Sequence, residues 1–186
     1  MDEKMGSMME DKGPVMGNMD DNGMKPSGSN EGDVHIAARA RLAATDPEST
    51  LNGMVDFVEP DGGGVVVINL SDVKPGGKHG IHVHENGSCD DVGKADGGHF
   101  NPASVQHGFL PKDGAGMAHT GDMGNIDINE AGSGMATVFM PGLSLSQGDA
   151  NITGKAVILH ALEDDFGQPT GNAGDRIACG IINLEN

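Results

Sequence analysis

The chain has 186 residues, enough for one domain with its own core and an appendage. Its formal net charge of -17 excludes nucleic acid and anionic membrane as partners unless a basic patch is built locally, and no basic run is present. With 31 glycines, 3% aromatics and no Trp or Tyr, the composition favours turns and strands over helices, and no apolar run is long enough to cross a membrane.

Residues 1–31 read as a disordered tail, rich in Met and Asp, ahead of a folded domain over 32–186. The tail holds seven of the 12 methionines and no periodic apolar face. It serves either as a spacer or, through thioethers that select Cu(I), as a soft-metal trap built from Met5, Met8, Met9, Met16, Met19 and Met24. From residue 33 the pattern turns to strands. Residues 34–42, 51–58, 65–70 and 78–85 form the first four, with Pro60-Asp61-Gly62 as the turn between the second and third. Residues 119–127, 134–140, 151–159 and 177–184 form the rest. No stretch has a convincing amphipathic helical period. The expected class is all-β: an eight-stranded antiparallel Greek-key barrel or sandwich.

Two connections, 86–118 and 161–176, are long and rich in Gly, Pro and Asp, which marks them as functional loops. Cys89 and Cys179 leave two readings open: free thiols in a reducing compartment, or one long-range disulfide in an oxidising one. Met117, Met123 and Met135 read as packing residues.

His82-Val83-His84 is the most informative stretch. Residues two apart on a strand point to one face, so both imidazoles can converge on one ion. His99, His107, His119, Asp122 and His160 follow downstream. Six histidines and one carboxylate supply enough nitrogen and oxygen ligands for two first-row metals. His79 falls on the opposite face from the His82 pair and reads as a packed, hydrogen-bonded side chain. His35 reads as a surface residue or a stray ligand for the tail.

Five stretches together resemble the copper/zinc superoxide dismutase family: Gly-Ile-His-Val-His-Glu (80–85), Gly-Gly-His-Phe-Asn-Pro (97–102), His-Thr-Gly-Asp-Met-Gly-Asn (119–125), Leu-His (159–160) with Asp164 and Asp165, and Gly-Asn-Ala-Gly-Asp-Arg-Ile-Ala-Cys-Gly-Ile-Ile (171–182). The resemblance covers about residues 33–184. It implies dismutation of superoxide to O2 and H2O2 by a redox-cycling copper joined through His99 to a structural zinc. Copper would be held by His82, His84, His99 and His160, and zinc by His99, His107, His119 and Asp122. Asp164 would link a histidine of each site, Arg176 would receive the anion, and Thr170 would line the channel. Cys89 and Cys179 would form the family disulfide. A homodimer in the periplasm or outside the cell is expected, with any signal or anchor removed upstream.

Three departures bear on the mechanism. Cys89 lies five residues after His84, as in bacterial members more than in many eukaryotic ones. The segment from His107 to His119 is longer than in those eukaryotic members. The loop from Glu163 to Asp175 has no lysine, so attraction of the anion is expected to rest on Arg176 with Lys94 or Lys112. A rival reading is a copper-handling protein on the same fold, in which the tail donates copper to the domain. The full set of ligand positions favours the enzyme. An inert β-sandwich does not explain why the ligands fall where the family has them.

Overall fold

The computed structural model describes residues 37–60 and 62–185. The methionines of the tail and His35 lie outside them.

Eight antiparallel strands make up the architecture: β1 (Ala38–Ala44), β2 (Asn52–Val58), β3 (Gly63–Ser71), β4 (Gly77–His84), β5 (Asp122–Ile128), β6 (Gly134–Pro141), β7 (Ala156–His160) and β8 (Arg176–Leu184). Their order is β5-β4-β7-β8-β1-β2-β3-β6, and the edge strands β5 and β6 contact each other, so the sheet wraps into a nearly closed barrel. Around that ring the β3–β4 and β6–β7 connections each pass over two strands, which is the Greek-key crossing. The expected all-β Greek-key class is therefore observed.

Alternation drives the closure. Ala38, Ala40 and Leu42 of β1, Val66, Ile68 and Leu70 of β3, and Ile81 and Val83 of β4 all face one core. On β6 the alternate positions Met135 and Phe139 face outward and are exposed. Met123 is buried in the core, whereas Met117, in a turn, and Met135 are exposed, so only one of the three methionines read as packing is filler. His79 shares the inward parity of Ile81. It is buried, with Nδ1 2.8 Å from the His160 carbonyl and Nε2 3.0 Å from that of Pro75.

β4 and β7 are buried on both faces. The outer face of β7 packs Ala156 and Ile158 against Cys179 of β8. The outer face of β4 carries His82 and His84. The two long loops cover this wall of the barrel. They hold only short helical pieces: one 3-10 turn, Lys94–Asp96, and one four-residue helix, α1 (Leu110–Asp113). A disulfide joins Cys89 of the first loop to Cys179 of β8, with Cα atoms 5.7 Å apart.

Two strands start later than the pattern suggests. Residues 119–121 turn rather than extend, because the Asp122 carboxylate accepts the backbone N–H of His119. Residues 151–155 also turn: Asn151 Oδ1 accepts the N–H of Thr153, and Gly154 sits at a φ of 81°.

Candidate metal centre

β4 presents His82 and His84, and β7 ends on His160. The first loop contributes His99, His107 and His119, while Asp122 opens β5. Bulges in the β4–β5 and β7–β8 ladders fall at His82 and His160, re-aiming the backbone where ligand residues sit. All seven side chains are buried.

They form two overlapping groups. One ligand atom each from His82, His84, His99 and His160 lie within 4.8 Å of one another, and so do those of His99, His107, His119 and Asp122. His99 belongs to both groups. Thus every ligand position named from the sequence is drawn into one cluster.

The second nitrogen of each ring fixes which atom is free. Asp164 Oδ2 lies 2.8 Å from His82 Nε2, and its Oδ1 lies 2.9 Å from His107 Nε2. Both Nε2–H groups donate to that one carboxylate, leaving the Nδ1 atoms for another partner. The Nδ1 atoms of His82, His107 and His119 are buried and make no hydrogen bond. An unsatisfied buried polar atom costs about 1–3 kcal/mol, so the Nδ1 of His82, which unlike those of His107 and His119 has no carboxylate beside it, calls for a cation. His84 Nδ1 donates to the Gly97 carbonyl at 3.1 Å and His160 Nδ1 to that of Gly174 at 3.2 Å. Their Nε2 lone pairs then face each other at 3.3 Å. Two acceptors at that distance repel unless a cation lies between them.

Asp122 organises the second group. Its Oδ1 lies 2.9 Å from His99 Nδ1 and 3.2 Å from His119 Nδ1, and its Oδ2 lies 2.8 Å from His107 Nδ1. Three imidazole nitrogens around one carboxylate make a closed four-ligand set of the kind that holds structural zinc. The first group is all imidazole and borders open space, which suits copper.

At His82, His99 and His160 the electrostatics agree with ligation. Burial pushes the His82, His99 and His160 imidazoles down, the last two to about 3 and about 2, so they are neutral and ready to bind at neutral pH. Burial also opposes ionisation of Asp122 and Asp164. Contacts with His107, His119 and His99 at the first, and with His107 and His82 at the second, outweigh it and hold both carboxyls below the usual range. Burial works against charge on His107 as well, yet the Asp122 and Asp164 carboxylates hold it up at about 9.

A cleft of about 160 Å³ opens onto His84, His99 and His160, and Thr170 and Arg176 are among its walls. Lys94 lines an adjoining groove with Arg176, whereas Lys112, on α1, borders neither space.

Several residues that hold the site were given no role from the sequence. Asn125 on β5 clamps the Asp164 backbone, with Oδ1 accepting its N–H at 2.7 Å and Nδ2 donating to its carbonyl at 2.9 Å. Gln168 clamps the His107 backbone in the same two-handed way. Asp96 is fully buried between Arg176 and His84. Its only sequence signal is an acid in a run of small residues just before His99.

Comparisons with known proteins point the same way. The family model described as copper/zinc superoxide dismutase matches residues 51–182. The Cu-Zn superoxide dismutase 2 of Aquifex aeolicus (strain VF5) is 35% identical over 153 residues, spanning 79% of this chain and 86% of its own. A crystal structure of the clock protein EA4 matches with a TM-score of 0.71 and 33% identity, over 82% of this chain and 96% of that one. By its sequence match, its nearly closed β-barrel and its shared histidine cluster, the chain belongs to the copper/zinc superoxide dismutase family.

Proposed function

We propose that the protein dismutes superoxide, with copper held by His82, His84, His99 and His160 and zinc by His99, His107, His119 and Asp122. The observation that carries this reading is the membership of His99 in both donor groups, each with its ligand atoms within 4.8 Å. When bound, copper supplies a one-electron couple that oxidises one superoxide and reduces the next, while zinc supplies fixed charge without redox chemistry.

The chain's own residues do the rest. Arg176 receives the anion in the cleft through its guanidinium N–H groups. The His99 Nδ1 is occupied by Asp122, so Nε2 is the nitrogen left for the copper group and for carrying a proton to the reduced oxygen. Asp164 holds the His82 and His107 rings at a fixed tilt by accepting a hydrogen bond from each Nε2–H. The balance is two superoxide ions and two protons in, one O2 and one H2O2 out.

Metal analysis after loading tests the site directly. One copper and one zinc per chain are expected, and replacing His99 by Ala should loosen both. Loss of one metal with unchanged retention of the other would contradict the shared ligand.

The tail supports a second, compatible role as a Cu(I) donor to the domain, on the strength of its methionines. Deleting residues 1–31 should lower copper loading under copper limitation; identical loading removes the idea. A periplasmic or extracellular location is supported by the Cys89–Cys179 disulfide. A homodimer is proposed from the family resemblance, and sedimentation of the loaded protein decides it.

A further inference from the structure

Arg176 does not enter the cleft as a free cation. Its Nε lies 3.2 and 3.1 Å from the two carboxylate oxygens of Asp96, and its Nη2 lies 3.0 Å from Oδ1. Nη2 also donates to the Gly97 carbonyl at 2.6 Å. Among the described residues Nη1 makes no hydrogen bond or ion pair. The stem is fixed too. A side chain at Gly93 would put its Cβ 3.2 Å from Arg176 Cδ, and Thr45 Oγ1 donates to the Arg176 carbonyl at 2.7 Å. Asp96 is 0% exposed, so water screens this pair little from the Asp96 side. The same Oδ1 lies 2.7 Å from His84 Nδ1, so one carboxylate touches both the anion-holding arginine and a residue of the copper group.

We infer that Asp96 is a positioning residue that clamps Arg176 by its Nε–Nη2 edge and cancels most of its charge, so that an anion is received by a paired guanidinium through Nη1. The reason is arithmetic of charge. A unit negative charge 3 Å from a unit positive one leaves a dipole, whose attraction for an anion falls off faster than that of a lone cation. The arrangement favours geometry over strength: it holds a small anion in one orientation without retaining it. In a chain of net charge -17, the cleft then lacks the strong local attraction a bare arginine would create.

This inference rests on the reading that Arg176 receives the anion, and the test separates the two. Azide serves as the anion probe, titrated optically against the copper- and zinc-loaded protein, with superoxide consumption measured in parallel across ionic strength. Asp96→Asn keeps an acceptor for the guanidinium but removes the charge. It should bind azide about tenfold more tightly and show a steeper fall of rate with salt. Asp96→Ala removes the clamp as well as the charge, so its gain in affinity should be smaller than that of D96N; it also carries the test alone if D96N does not fold. Arg176→Gln should weaken azide binding. If D96N or D96A folds and binds both metals, yet azide affinity stays within twofold of the parent and the salt slope is unchanged, the inference is overturned while R176Q still reports on Arg176. If R176Q also binds azide as the parent does, the anion-holding role of Arg176 falls with it.

Discussion

At the scale of single residues, the cluster of donor side chains was legible because chemistry restricts such donors to a few side-chain types. His-x-His on a strand, followed by three loop histidines, an Asp and one more His, needs no tertiary information to suggest two metals. The supports were not legible, because Asn125, Gln168 and Asp96 act through backbone and side-chain contacts that spacing does not encode. Gly171 belongs with them. It sits at a φ of 76°, and a Cβ there would collide with Asp164 Oδ1 and lie 2.7 Å from His107 Nε2. Gly171→Ala should therefore both strain the backbone and push Asp164 off its two histidines, lowering stability by about 2–4 kcal/mol in thermal unfolding. Asp164→Asn keeps the volume but can no longer accept from both Nε2–H groups with full charge. We expect metal affinity to drop about 10–100-fold in a chelator competition. Unchanged affinity would show that Asp164 merely fills space.

At the scale of elements, the alternating runs identified all eight strands, since one apolar face per strand is what a barrel wall requires. The ends were less visible. β5 and β7 start three and five residues later than the pattern suggests, because the side chains of Asp122 and Asn151 capture backbone N–H groups and turn the chain first. The long loops were recognised as functional, but not how they are fastened. Asp164 and Asn125 tie the second loop to β5, and the disulfide ties the first to β8. The cysteines span a separation of 90 residues, for which chain entropy gives roughly 4–5 kcal/mol. The Cys89→Ser, Cys179→Ser double variant should lose about that much in denaturant unfolding of the metal-free protein. A loss below about 1 kcal/mol would mean that the covering loop is held by its other contacts alone.

At the scale of the whole molecule, the metal cluster is a store of buried titratable groups, and the metal-free protein should be acid-sensitive because of it. His99 and His160 have folded pKa values of about 3 and about 2 against 6.5 when unfolded. Between those limits the unfolded chain binds protons that the folded one does not, so stability is lost as pH falls from 6.5 toward 3. Asp122 and Asp164, held below the usual range, extend the loss to lower pH. His107, raised to about 9, is protonated in both states below 6.5 and adds no slope there; its contribution is lost as pH rises from 6.5 through 9. Melting temperature of the stripped protein should thus peak near pH 6.5 and decline on both sides. A flat profile from pH 7 to 4 would contradict the buried, neutral histidines.

The central claim is that one barrel wall holds a copper and a zinc through a shared histidine for superoxide dismutation. It is tested most directly by superoxide consumption after loading with both metals, with and without cyanide. The account predicts fast consumption that cyanide abolishes. A protein shown to carry one copper and one zinc per chain, yet inactive, would contradict it and leave copper handling as the function.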